Sequence, residues 1–326
     1  MSAIITITFN PCIDVHVSVA ALIPELKLRC GAPLLQPGGG GINVARAIKQ
    51  LGGDATAIYL AAGNNGKELT RMLEEEGIRS VVLSTDGNTR ENLMVVDRST
   101  GSQYRFILPG PAVANSALKN LAEIIDQENP GFMVVSGSLP PGLDTSIFSE
   151  LAAIAAKKGI RLVVDTSEEA LKKAVESGVY MIKPSIRELI SLARMEGNER
   201  NIDIKNINIE ALAKKLIVNG NCRVVVVSLG ADGALLVTND HVCKILPPSV
   251  KAISTVGAGD SMVAGIVWKL SLGKEVEEAV EYGCACGSAA IMNPGTSLCH
   301  LQDVEKIYAQ MHQEHYISCD QNYTLL

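Results

Sequence analysis

Short runs of β-branched and aliphatic residues alternate with longer segments of helical period along most of this chain, and that alternation leaves few folds open. The strand runs are Ile4 to Phe9, Thr56 to Ala61, Phe132 to Ser136, Arg161 to Asp165, Met181 to Lys183, Arg223 to Ser228 and Ala234 to Thr238. Helical runs lie between them: Ile42 to Leu51, Glu68 to Glu76, Ser116 to Glu128, Ile147 to Lys158 and Ile209 to Asn219. Asp260 to Asn293 reads as two helices parted at Gly273. The pattern is that of βαβ units, an α/β fold with a mostly parallel central sheet and helices on both faces. Two stretches interrupt it, Val15 to Leu35 and Asn92 to Leu108. In the second, two apolar runs flank Ser99-Thr-Gly-Ser102, which predicts a hairpin. Strands without a crossover helix cannot join a parallel sheet in sequence. Both stretches are therefore expected in a small β-sheet lid, formed from about 12–36 and 88–108, over one edge of a single domain spanning residues 1–326.

Composition narrows the partners. With 326 residues and 47% apolar content the chain can bury one large core. The 29 basic and 35 acidic residues leave a formal charge of -6 with no dense basic cluster, which argues against nucleic acid and for a small ligand. No run of about 18 apolar residues occurs, and Met1 to Asn10 lacks a basic leader. A cytoplasmic protein that neither spans nor binds membranes is expected. The cysteines, Cys12, Cys30, Cys222, Cys243, Cys284, Cys286, Cys299 and Cys319, lack C-x-x-C spacing and read as reduced thiols. Residues after Tyr316 read as a loose tail.

Three segments can carry chemistry. Gly257-Ala-Gly-Asp260 opens a helical run, so backbone N-H groups at a helix N-terminus can approach an anion, and the helix dipole adds to the attraction. Such donors stabilise a phosphoryl group in flight. The same positive end is expected to favour an ionised Asp260, able to take a proton from an attacking hydroxyl. Alone, the tetrapeptide reads first as an N-cap aspartate after a glycine turn. Pro37-Gly-Gly-Gly-Gly41 precedes Asn43 and permits a backbone that wraps a polyhydroxylated ligand, or simply a flexible loop. It is neither a Walker A loop nor a G-x-G-x-x-G turn, which removes support for nicotinamide chemistry. Asp14, Lys27, Arg29, Arg90 and Arg105 border the lid. A phosphorylated substrate needs a permanent cation, and Arg90 is the first choice. Cys284-x-Cys286 reads as buried thiols, His312 and His315 as solvated, and Trp268 as part of an apolar helix face.

Taken together, the glycine run with Asn43, Ser136-Gly-Ser-Leu-Pro-Pro-Gly142 and Ser254-Thr-Val-Gly-Ala-Gly-Asp260 resemble the ribokinase-like (PfkB) carbohydrate kinases over nearly the whole chain. Lys27 to Cys30, Pro37 to Ile48, Gln103 to Phe106 and Ser254 to Met262 are most similar to the bacterial minor 6-phosphofructokinases. Related 1-phosphofructokinases and tagatose-6-phosphate kinases, the rival readings, usually carry lysine where this chain has Gly40. A sensor on the same fold is the non-catalytic rival. The resemblance implies that Asp260 is the base and Gly257, Ala258 and Gly259 the anion hole. It implies that Asp14, Lys27, Gly38, Gly39, Asn43, Arg90 and Ser138 bind a sugar phosphate. Lys183, Ser185, Ser228, Gly230, Gly233, Thr255, Cys284 and Ser288 would bind ATP. Glu188 would organise Mg2+ through water, and Ser254, Val256, Ala290, Asn293, Gly295 and Ser297 would form a K+-type site. Lid strands with exposed edges are expected to pair with a second chain, giving a homodimer. The family's Asn-x-x-Glu reads Ser185-Ile-Arg-Glu188 here, which predicts weakened MgATP binding.

Overall fold

The computed structural model describes residues 2–195, 208–219, 222–313 and 317–318. His315 and Cys319 lie outside them. Ten strands form the main sheet, in the order β14-β13-β12-β11-β10-β9-β8-β1-β4-β5. These are β1 Ile4–Thr8, β4 Thr56–Ala61, β5 Arg79–Ser84, β8 Phe132–Ser136, β9 Arg161–Asp165, β10 Val179–Ile182, β11 Cys222–Ser228, β12 Ala234–Val237, β13 Val242–Ile245 and β14 Ile317–Ser318. From β5 to β11 every pairing is parallel, and the last three strands add antiparallel. Ile317–Ser318, at the start of the tail expected to be loose, thus supply the edge strand β14, and the rest of that tail lies outside the described residues.

Alternation along each central strand divides the core in two. Phe132 and Val134 of β8 face one apolar layer, Met133 and Val135 the other. The first layer is closed by α1 Gly40–Gln50, α2 Gly63–Glu75, α8 Ala258–Ser271, α9 Val276–Ile291 and α10 Leu301–Gln313. The second is closed by α3 Leu121–Glu128, α4 Ile147–Lys158, α5 Glu168–Ser177, α6 Ile186–Met195 and α7 Ile209–Val218. Strands buried on both faces must be continuously apolar, which is why β12, Phe132 to Val135 of β8 and Val224 to Val227 of β11 read as unbroken hydrophobic runs.

The two interrupting stretches form a separate four-stranded sheet in the order β3-β2-β6-β7, from β2 Cys12–Val19, β3 Leu34–Gly38, β6 Arg90–Asp97 and β7 Gln103–Ile107. β6 and β7 are the expected hairpin. β2 and β6 pair in parallel from Cys12 opposite Arg90 to Val19 opposite Asp97. Residues 20–33 carry no strand. Among the described residues, no helix is long and apolar enough to cross a membrane.

Candidate active site

The chain leaves β1 to build β4 and β5 on one side, then crosses to β8 and builds outward on the other. The order reverses between β1 and β8, and the carboxyl ends of those strands frame a crevice, the usual ligand position in open α/β sheets. Two helices begin there. Thr8 Oγ1, at the end of β1, accepts the Ile42 N-H of α1 at 2.8 Å. Gly39, the N-cap of α1, has φ 116°, a conformation open to glycine alone. A β-carbon on Gly40 would overlap the Ser136 hydroxyl and come within 2.7 Å of Gly137 N. The glycine run is therefore a tight junction between α1 and β8, and its last two residues are already helical.

The second helix is α8. Its N-cap is Gly257, at φ 75°, and not Asp260, which lies inside the first turn. The Asp260 carboxylate is engaged across the crevice: Asn43 Nδ2 donates to Oδ2 at 2.9 Å and Ser136 Oγ to Oδ1 at 3.5 Å. That geometry disposes of the N-cap reading. The expectation of a readily ionised Asp260 fails in direction. Burial and the neighbouring Asp165 push its pKa up to about 6, outweighing Asn43, Lys183 and Ser136. A carboxylate of that basicity is better suited to accept a proton near neutral pH than an ordinary aspartate.

Beside it, Lys183 follows β10 and lies 3.2 Å from Asp165 at the end of β9. Burial works against the Lys183 ammonium, but Asp165, Asp260 and Glu188 together hold its pKa above the usual lysine range. Burial raises that of Asp165, and Lys183 only partly offsets this. Three carboxylates around one ammonium leave net negative charge and oxygen donors, which fits a hard divalent cation. Ser185 and Glu188 form a reciprocal capping box on α6: the Ser185 N-H donates to Glu188 Oε2 at 2.7 Å and the Glu188 N-H to Ser185 Oγ at 3.3 Å. Ser228 pairs with Ser185 as a parallel bridge, and its N-H donates to Pro184 O at 2.9 Å. After β11, Gly230 and Gly233 turn the chain at φ 66° and 82°.

The small sheet brings the remaining polar groups to the crevice. Asp14, 3% exposed, accepts from Asn92 Nδ2 at 3.1 Å and lies against Gly38. Arg90 donates to Leu108 O at 2.9 Å and Asn10 O at 3.0 Å, while its Nε is buried without a partner among the described residues. Asn10 Nδ2 in turn donates to Ser138 Oγ at 3.1 Å. Arg105 reaches Thr255 Oγ1 at 2.8 Å and Gln103 reaches Ile253 O at 3.1 Å, so β7 is tied to the segment leading into α8. Lys27 and Arg29 are exposed on residues 20–33.

The Ser254 to Val256 segment and the loop after α9 are brought together. The Ile253 and Ser254 N-H groups both donate to Ile291 O, at 2.7 and 3.2 Å. Asn293 spans the loop through Ala289 O and Leu298 O, at 3.1 and 3.0 Å, next to Ala290, Gly295 and Ser297. This set of neutral oxygens, hydroxyls and carbonyls, fits a monovalent cation. Ser288 and Cys284 are buried on α9, and burial raises the Cys284 thiol pKa. Cys284 and Cys286 are free thiols, as expected, but the reading of all eight cysteines as thiols fails at Cys243, which is disulfide-bonded. Sequence reasoning gave no role in the site to Asp165, the last residue of a strand run, or to Arg46, on a helical run. Neither carries a local signal, because their partners are distant in sequence.

Residues 4–303 match the pfkB family carbohydrate kinases. The ATP-dependent 6-phosphofructokinase isozyme 2 of Escherichia coli (strain K12) is 42% identical over 313 residues, 95% of this chain and 99% of that protein. Two solved structures of phosphofructokinase-2 from Escherichia coli are similar throughout. One, in complex with potassium, has a TM-score of 0.89 at 41% identity, and one with fructose-6-phosphate has 0.88 at 40%; each covers 96% of this chain and 100% of the other.

Proposed function

Since the chain belongs to the pfkB family of carbohydrate kinases, we propose that it transfers the γ-phosphoryl group of ATP to the 1-hydroxyl of fructose 6-phosphate, giving fructose 1,6-bisphosphate and ADP. The observation that carries this reading is the Asp260 carboxylate, held by Asn43 and Ser136 at the open N-terminus of α8. Asp260 accepts the hydroxyl proton as the oxygen attacks phosphorus. The N-H groups of Gly257, Ala258 and Gly259 face the charge that spreads over the transferring group, and Lys183 meets the nucleotide phosphates. Asp14, Gly38, Gly39 and Asn43 hold the sugar hydroxyls. Arg90, Ser138 and Lys27, the last by movement of its segment, hold the sugar's phosphate. The nucleotide lies along Ser185, Ser228, Gly230, Gly233 and Thr255, with Ser288 and Cys284 behind it.

Glu188 would hold magnesium through water, and magnesium supplies charge neutralisation on the nucleotide oxygens. Ser254, Val256, Ala290, Asn293, Gly295 and Ser297 would hold potassium. The small sheet serves as a lid that excludes water, so that ATP is not hydrolysed. Its apolar β3 and β7, with Leu34, Tyr104, Phe106 and Ile107 between 40% and 57% exposed, pair with a second copy to make a cytoplasmic homodimer.

The test is ADP release from MgATP with fructose 6-phosphate, tagatose 6-phosphate and fructose 1-phosphate, each with and without potassium. Fructose 6-phosphate is expected to give the highest kcat/KM. No ADP above background with any acceptor would restore the sensor reading. Asp260→Asn is expected to bind both substrates while kcat falls roughly 10²- to 10⁴-fold. A near-normal kcat would remove Asp260 from the role of base.

A further inference from the structure

Arg46 is 3% exposed on a helix whose other buried side chains, Asn43 apart, are aliphatic, and every nitrogen of its guanidinium is engaged. Nε and Nη2 form a fork on the Glu76 carboxylate at 2.6 and 2.8 Å. Glu76 lies at the end of α2 with its side chain 35% exposed, so the pair is anchored from the surface side. Nη1 points inward to three acceptors from three parts of the chain: Pro37 O at 3.1 Å, Thr296 O at 3.3 Å and Asn43 Oδ1 at 3.4 Å. Pro37 begins the glycine run, and Thr296 lies in the loop after α9. Thr296 is itself fully buried, its N-H and hydroxyl both donating to Gln36 Oε1 of β3 at 3.0 and 2.9 Å.

The Asn43 contact has a directional consequence. An amide has one acceptor end and one donor end. With Oδ1 turned to a permanent cation, Nδ2 must face Asp260, and it does so at 2.9 Å. The reversed amide would set its oxygen against a carboxylate and its N-H group against a guanidinium, two repulsions in a buried site. Asn43 and Arg46 are three residues apart on α1 and so share a face, which makes the arrangement intrinsic to that helix.

We propose that Arg46, anchored by Glu76, is a positioning residue of the transfer: it orients the Asn43 amide toward Asp260 and holds the glycine run and the Thr296 loop to one guanidinium. The assignment rests on the kinase reading above, but its structural half does not depend on which acceptor is used. Lysine at this place keeps the charge and loses the fork, so it cannot hold Glu76 through two bonds while reaching three carbonyl oxygens.

The experiment has a ligand-free arm and a kinetic arm. In the ligand-free arm, the Asn43 side-chain N-H signals in a proton–nitrogen correlation spectrum, assigned by their loss in Asn43→Ala, are expected to shift and broaden in Arg46→Lys. In the kinetic arm, measured with whichever sugar phosphate the wild type turns over fastest, Arg46→Lys is expected to lower kcat roughly ten- to a hundredfold and to raise the acceptor KM, with the ATP KM within about twofold. Placed in an Asn43→Ala background, the same change is expected to alter kcat by less than about twofold, because the kcat effect passes through Asn43, while the rise in acceptor KM, which passes through the glycine run, persists. Glu76→Gln, a milder change, is expected to shift all readouts in the same direction and serves if Arg46→Lys does not fold. Unmoved Asn43 signals, a kcat and acceptor KM that stay at wild-type values while only Tm falls, or a full multiplicative loss in the Asn43→Ala background would each overturn the proposal. A wild type that prefers another sugar phosphate would overturn the acceptor reading alone.

Discussion

Asp260 carries the sharpest consequences of single residues. With a pKa of about 6, the acid limb of kcat/KM is expected near pH 6 and not at an ordinary carboxylate value. The same shift bears on stability. Folding raises this pKa, so the folded state binds the extra proton, and the contribution of Asp260 to stability is present at low pH and lost as pH rises through about 6. Asp260→Asn, inactive by expectation, should therefore be more stable than wild type at pH 7.5 by about 3 kcal/mol, and melt higher. Equal Tm values across pH 4 to 8 would contradict the raised pKa. Gly40 is the second such residue. The lysine that related kinases usually carry at this place has no room here, because a β-carbon already meets Gly137 N at 2.7 Å. Gly40→Ala is expected to lower kcat/KM roughly tenfold or more through displacement of α1 from β8, and wild-type kinetics would show that the junction yields freely.

Among the elements, α6 shows how a departure from a family pattern is absorbed. Ser185 replaces the expected asparagine, yet it still caps the helix and still receives Glu188 in return. Ser185→Ala is expected to cost about 1 kcal/mol of stability through the lost cap. Ser185→Asn keeps a cap and adds an amide donor, so the dissociation constant for MgATP should fall several-fold. An unchanged constant would mean that the serine already does all that asparagine could. The central strands, the α8–α9 pair parted near Gly273 and the β6–β7 hairpin were legible because each has a local cause, a period of burial or a turn. Asp165, Arg46 and Gln36 were not, since each depends on a partner that only the closed fold supplies: Lys183, Glu76 and Thr296. Lys27 was drawn to the site by its charge beside the lid and by resemblance, and the structure leaves it on an exposed segment.

At the scale of the whole molecule, the two sheets are joined around the crevice at both ends. Arg105 and Gln103 reach the segment before α8, and Gln36 reaches the loop after α9. The outer strand β7 remains exposed along its length. Phe106→Glu is expected to give a monomer by sedimentation, with a raised acceptor KM, and an unchanged mass would place the subunit contact elsewhere. The parallel pairing of β2 with β6 has a different reach, because β3, α1, β4, α2 and β5 all lie between them in sequence. That pairing closes a loop of some seventy residues and becomes affordable in entropy only after the intervening units have packed. Asp14 and Asn92, one on each strand, are therefore expected to meet late in folding. A newly made chain would acquire its core before it acquires a pocket for the sugar.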